Sequence, residues 1–245
     1  MARTLYFVVA GVAYCIFFAV FLYLVGFVAN LPMLPRTVDI GPLGWGWQSL
    51  AVDVGLIALF GLQHSVMARQ GFKAAWTKIV PPPIERSVYV LITSLILILL
   101  FVAWHPIPVK IWRVDNEIGQ YVLWALFALG WAIVLLSTFL INHFELFGLA
   151  QVWRHARSKA VAAPTFYQPL FYRLVRHPLY SGFIIAFWAT PWMTVGHLVL
   201  ALGMTIYIVI AIQYEERDLI AAFGDEYVAY KGKVGMLTPR FRRAR

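Results

Sequence analysis

Residues 179–213 read LYSGFIIAFWATPWMTVGHLVLALGMTIYIVIAIQ, 35 positions in which His197 is the only side chain able to carry charge near neutral pH. A helix crossing a bilayer uses about 20 apolar residues, so this run is too long for one crossing. Pro191, Gly196 and His197 interrupt it near its middle, where a helix turns or breaks. The run is therefore read as a helical hairpin, about Leu179–Thr190 and about Leu198–Gln213, with a short first arm. The two ends of a hairpin return to the same membrane face, so the polar residues flanking the run are brought together.

Working outward, four further apolar runs lie at about Leu5–Ala29, Leu50–Met67, Val88–Trp104 and Tyr121–Ile141. The first exceeds the apolar core of a signal peptide and no small-residue cleavage site closes it, so it is read as a retained span. The chain has 245 residues, 62% of them hydrophobic and 13% charged, and its mean hydropathy is +0.76. A soluble domain carries about 25% charged residues, and six spans leave no room for one here. The expected fold is an all-α integral membrane protein of about six transmembrane helices, four plus the C-terminal hairpin, with a cytoplasmic C-terminal cap. Residues 1–141 form the four-span bundle in this reading, and residues 142–245 the cytoplasmic loop, hairpin and cap.

The formal charge of +9 follows this topology. Of the 20 lysines and arginines, all but Arg36, Lys110 and Arg113 fall on one side of the six-span arrangement, including Arg240, Arg242, Arg243 and Arg245 at the C-terminus. The positive-inside rule then puts both termini in the cytoplasm, and a five-span arrangement would export the basic C-terminus. Topology and anionic lipid account for the excess, which removes the case for a nucleic-acid partner. Cys15 is the single cysteine and excludes an intrachain disulfide and a cysteine-built zinc or iron–sulfur site. Pro81–Pro83 reads as a stiff turn before the third span.

Ionisable residues inside spans face a bundle interior or a water-filled cavity. Asp53 and His64 lie eleven residues, about three turns, apart on one helix face, with Gln63 adjoining. The fourth span ends in INHFELFGL, residues 141–149, where Asn142, His143 and Glu145 alternate with aromatics. That segment reads either as a site or as an interfacial amphipathic stretch anchored by its Phe residues and Trp153. Arg176-His177-Pro178-Leu179-Tyr180 precedes the hairpin, with Pro178 at the first helical position and the free N–H groups of a helix start suited to an anionic ligand group. The hairpin's other end supplies Glu215, Glu216, Arg217 and Asp218, then Phe223-Gly224, Tyr227 and Tyr230. Cations, carboxylates and aromatics thus meet at one place. No two histidines stand at i and i+4 on an expected helix, so no metal is assigned.

Arg-His-Pro-x-Tyr before a helical hairpin, followed by Glu-Glu and Phe-Gly-x-x-Tyr-x-x-Tyr, resembles the isoprenylcysteine carboxyl methyltransferase superfamily. The resemblance covers nearly the whole chain. Gly61–Arg69, Ile84–Ser87 and Asn142–Leu149 are most similar to its bacterial branch that methylates methanethiol on sulfur to give dimethyl sulfide. It implies S-adenosylmethionine as methyl donor, and Arg176, His177, Pro178, Leu179, Tyr180, Glu215, Glu216 and Tyr227 as its pocket. It also implies a multi-pass bacterial inner-membrane location, a small volatile thiol and membrane lipid as partners, and no obligate protein partner. No Gly-x-Gly-x-x-Gly follows a strand, so the soluble dinucleotide-type route to an adenosyl ligand is absent.

For a thiol acceptor the competent nucleophile is the thiolate. His64 or His143 is suited to remove the proton because imidazole titrates near neutrality, and Arg86 to hold the thiolate charge. Asn142 and Glu145 are the remaining substrate-side expectations. The rival readings are methyl transfer to another thiol or to a prenylcysteine carboxylate, a membrane protein associated with nitrogen-oxide reduction, which the His64 motif also resembles, and a transporter.

Overall fold

The computed structural model describes residues 2–44, 46–159 and 165–240. Arg242, Arg243 and Arg245, counted above among the cytoplasmic charges, lie outside the described residues. The protein is an all-α integral membrane protein. Its long helices are α1 (Ala2–Val28), α2 (Gly46–Ala68), α4 (Pro82–Ala103), α5 (Glu117–Leu140) and α9 (Val195–Phe223), each apolar and of membrane-crossing length. Shorter helices are α3 (Gln70–Trp76), α6 (His143–Leu146), α7 (Leu149–Ala156), α8 (Pro178–Trp188) and α10 (Asp225–Lys233). Many large apolar side chains of the long helices point outward, as Leu22, Leu62, Leu99 and Leu136 do, which suits a surface solvated by lipid.

Helix ends follow local chemistry. Proline opens α4 and α8, where its missing N–H is not needed. Asn116 caps α5 by accepting from the Gly119 N–H at 2.9 Å. Asp225 and Glu226 begin α10 and Lys231 and Lys233 end it, each charge opposing the helix dipole. Gly224, at φ +55°, makes the sharp turn between α9 and α10 that a side chain disfavours.

The chain divides into two compact units. Unit 1 comprises residues 1–113, 142–162 and 192–203. In it α1 and α2 pack on α4, and α7 lies against α1 and α4. Phe27, Phe101 and Trp104 form a buried aromatic cluster at one end. There the Trp104 indole donates to the Val38 carbonyl at 3.1 Å. The loop beyond α1 is tied by Asp39, whose carboxylate accepts from Thr194 at 2.6 Å and from Asn30 at 3.2 Å. Burial raises the Asp39 pKa and the Thr194 hydrogen bond partly opposes the rise. Two strands, β1 (Lys110–Arg113) and β2 (Trp192–Thr194), pair antiparallel with Lys110 opposite Thr194 and Arg113 opposite Trp192.

Unit 2 comprises residues 114–141, 163–191 and 204–245. Its spine is the seam between α5 and α8. A Cβ at Gly130 would stand 2.7 Å from the Ala186 nitrogen, and one at Gly182 would stand 2.7 Å from the Gly130 carbonyl. Small residues here let two helix backbones touch, the usual means of helix association where water supplies no hydrophobic drive. Trp131 closes the seam edge-on against Phe183 and Phe187. Beyond α8 the chain is extended, and the Pro191 carbonyl accepts from the Val114 N–H at 2.9 Å, just before α5 begins.

Candidate functional site

In unit 2 the residues ahead of α8 are held by the C-terminal segment. The Arg176 and His177 N–H groups donate to the carbonyls of Gly235 (2.8 Å) and Met236 (3.1 Å). The Ser181 hydroxyl donates to Leu237 at 2.8 Å. This fixes Arg176 and His177 beside the two glutamates, which lie about two turns before the end of α9.

The centre of the cluster is Glu216. It is buried, and both its oxygens are engaged by the chain itself. Oε1 accepts from Arg176 Nε at 2.7 Å and stands 3.2 Å from His177 Nε2. Oε2 lies 2.6 Å from Lys231 Nζ. Arg176 also donates through Nη1 to the carbonyls of Lys231 (3.3 Å) and Val234 (2.5 Å), which ties α10 to α9. Glu215 is placed differently. Its side chain is 43% exposed, with Oε2 3.9 Å from His177 Nδ1, so His177 is flanked by both carboxylates. Pro178 is buried and Leu179 half-buried. The Tyr180 ring lies 5.7 Å from that of His177.

Tyr227 and Tyr230 cover the cluster together with Phe166. The Tyr230 hydroxyl donates to the Tyr172 carbonyl at 2.5 Å. The Tyr227 hydroxyl is buried with no hydrogen-bond partner among the described residues. Burial, with the nearby Glu216 charge, raises the Tyr227 pKa above its ordinary value. Burial likewise pushes Tyr230 up to about 12. Both phenols are therefore neutral donors at physiological pH. An unmatched buried hydroxyl costs about 1–3 kcal/mol, so one beside exposed Glu215 points to a ligand with an acceptor group.

Unit 1 has its own polar centre on α2, α4 and α6. The buried Tyr89 ring has the Arg86 guanidinium 4.9 Å from its centroid and the His64 ring at 5.2 Å, and its hydroxyl donates to the His64 carbonyl at 3.2 Å. Phe60 stacks on His64 at 5.4 Å, and Arg86 Nε donates to the Leu146 carbonyl at 2.7 Å. Buried His143 shares a 2.8 Å hydrogen bond with the Tyr14 hydroxyl through Nε2 and packs edge-on to Phe147. Desolvation lowers the His143 pKa, so its ring is neutral at pH 7. Asn142 takes the left-handed conformation at the start of α6, where its side chain accepts from the Glu145 N–H and donates to Glu145 Oε2 at 2.8 Å. Glu145 also pairs with Arg154 at 2.6 Å.

Comparison with known proteins places this chain firmly. It is 51% identical over 242 residues to methanethiol S-methyltransferase of Mycobacterium tuberculosis, covering 98% of each chain. It is 50% identical over 239 residues to that of Crocosphaera subtropica, covering 98% of this chain and 93% of the relative. The chain belongs to the methanethiol S-methyltransferase family. The likeness extends to the protein of that name from Pseudomonas deceptionensis, 52% identical over 211 residues, which is 86% of this chain and 80% of the relative. No family model matches the chain, and no solved structure does.

For this family member, the expected donor-side residues Arg176, His177, Tyr180, Glu215, Glu216 and Tyr227 come together in unit 2. His64 and Arg86 share one aromatic ring in unit 1, where Asn142 and Glu145 are engaged in capping α6 and pairing with Arg154. Sequence reading missed Lys231, which was counted only as a positive-inside charge, and Tyr14 and Tyr89. A tyrosine in mid-span, away from the interfacial belts, carries a hydroxyl that needs a partner, and that was the available signal for Tyr14.

Proposed function

We propose that this chain is a membrane methyltransferase that takes a methyl group from S-adenosylmethionine and places it on the sulfur of methanethiol, giving dimethyl sulfide. The observation that carries the reading is the near full-length identity to methyltransferases named for that thiol. The donor-binding motifs all lie within residues 142–245, and His64 and Arg86 within 1–141.

When bound, S-adenosylmethionine supplies an electrophilic methyl group on a sulfonium cation. The unit 2 cluster fits it. Glu215 accepts hydrogen bonds from ribose hydroxyls or the ammonium group, and the Tyr227 hydroxyl donates to an acceptor such as the carboxylate. The Tyr180 face suits the sulfonium charge. Glu216 acts through others: it holds Arg176, His177 and Lys231 in place, so these groups are ordered before any ligand arrives.

On the acceptor side, a neutral imidazole takes the thiol proton, either His143, which Tyr14 orients, or His64, which Tyr89 and Phe60 orient. The sulfur lone pair forms the new carbon–sulfur bond, the donor's bond from sulfur to that methyl breaks, and its electron pair leaves with S-adenosylhomocysteine. The Arg86 charge favours the thiolate over the thiol before attack.

The inner-membrane location and cytoplasmic termini belong to the same reading. α8 has 11 residues, about 16 Å at 1.5 Å per residue. The extended chain after it carries Pro191 to the start of α5, which supports a sixth crossing along α5 and hence an even count.

The test is headspace detection of dimethyl sulfide from purified protein given S-adenosylmethionine and methanethiol, beside a sample given a prenylcysteine analogue. Dimethyl sulfide with turnover is expected. Methylation of the analogue alone overturns the substrate, and silence in both with folded protein overturns the reaction.

A further inference from the structure

Asp53 has no part in the methyl transfer described above, yet its surroundings are built. It lies two turns into α2, toward the end opposite His64, and is fully buried. Oδ1 accepts from the His105 backbone N–H at 2.9 Å. Oδ2 is buried with no hydrogen-bond partner among the described residues, and the same holds for the Nδ1 atom of His105. Ser49, also buried, stands one turn before Asp53 on the same face of α2.

Gly44 packs against two of these side chains. A Cβ there would collide with Ser49 Oγ and stand 2.9 Å from His105 Nδ1, so only glycine lets the loop lie this close to both. The loop that carries Gly44 is fixed nearby: Val38 accepts from the Trp104 indole, and Gly41 packs against Pro106. The Asp53 carboxylate thus meets the His105 backbone, and the His105 ring nitrogen and the Ser49 hydroxyl both lie against Gly44.

A buried carboxylate with an unmatched oxygen is costly in a membrane bundle, and an unmatched ring nitrogen adds to the cost. One bound cation relieves both. Imidazole nitrogen with carboxylate oxygen is the donor set of a borderline transition-metal ion, whereas magnesium and calcium favour oxygen alone. We propose that Asp53 and His105, with Ser49 beside them, bind a divalent transition-metal ion of the zinc class, with water completing its coordination. Nδ1 gives its lone pair, which leaves the ring proton on Nε2, and the half-buried His105 ring is the route by which the ion exchanges with water. The ion would clamp the loop around residues 36–44 and residue 105 onto α2. The proposal is independent of the methyl-transfer reading.

The experiment is a calorimetric titration of Zn²⁺ into chelator-treated full-length protein in detergent, with thermal unfolding read in parallel. Wild type is expected to take up one Zn²⁺ at this site with a rise in Tm, and Mg²⁺ to give none. Asp53→Asn and His105→Gln should each weaken that binding by about tenfold or more, the usual scale for disturbing a metal site. Gly44→Ala should weaken it, because the added Cβ displaces Ser49 Oγ and His105 Nδ1. Because His105 is half-buried, its variant keeps the test available if Asp53→Asn does not fold. No uptake by wild type, or uptake unchanged in all three variants, overturns the proposal.

Discussion

Glu216→Gln changes one buried carboxylate into its neutral isostere and tests whether unit 2 is organised as described. The Arg176 and Glu216 side chains are 8% and 4% exposed. Removing one partner of a buried pair costs about 3–5 kcal/mol because the other charge is left without compensation. Gln still accepts one hydrogen bond, which offsets about 1 kcal/mol. Lys231 adds little to the loss, since its side chain is 42% exposed and solvent screens its charge. The expected net cost is about 2–4 kcal/mol, a fall in Tm of about 10 °C for a chain of this size. Glu215→Gln is the control one residue away: at an exposed position it should move Tm by less than about 0.5 kcal/mol equivalent. It should nevertheless weaken S-adenosylmethionine binding measured by calorimetry. If Glu216→Gln melts with wild type, or the two variants melt alike, the division of labour between the glutamates is wrong.

Tyr227→Phe should raise the Kd for S-adenosylmethionine about tenfold, one charge-assisted hydrogen bond, with Tm unchanged or higher because an unmatched buried hydroxyl is removed. His64→Ala should lower kcat more than it weakens donor binding, and equal losses in both would make His64 structural. Tyr89→Leu should lower kcat by removing the ring that Arg86 and His64 share, whereas Tyr89→Phe should retain most of it. Burial holds the His143 pKa below its ordinary 6.5, so only the unfolded chain gains a proton as pH first falls below that value. Wild-type Tm should therefore decline from about pH 6.5 downward until the native ring itself titrates, and His143→Gln should flatten that part of the pH profile. Gly182→Val should cost about 3 kcal/mol or abolish folding, read by size-exclusion recovery in detergent, because its Cβ meets the α5 backbone.

Hydropathy made the membrane helices legible, because a bilayer demands long apolar segments whose backbone groups pair internally. The break at Pro191–His197 was equally plain, but its form was not. β1 and β2 are four and three residues long, too short for strand periodicity, and their pairing depends on segments about 80 residues apart. The long run also hid where α9 ends: the arm expected to stop at about Gln213 continues to Phe223, so Glu215 and Glu216 lie within the helix. Family resemblance marked the donor residues as a set, yet only tertiary contacts distinguish their roles. Lys231 counts in the sequence only as a positive-inside charge, because its partner lies 15 residues earlier in sequence and across the α9–α10 turn.

Helix geometry explains why neighbouring glutamates diverge. Successive residues on a helix point about 100° apart, so when Glu216 turns inward to meet Arg176, His177 and Lys231, Glu215 is rotated toward the outside. A polar residue on each face requires that the inner one be matched by cations from elsewhere in the chain, which Arg176 and Lys231 supply. That match lets a carboxylate sit buried in an apolar helix, while its neighbour Glu215 stays 43% exposed, 3.9 Å from His177 Nδ1. On the proposed function the pair Glu-Glu is one structural acid and one binding acid, and exchanging either for alanine should damage a different quantity: stability at Glu216, donor affinity at Glu215.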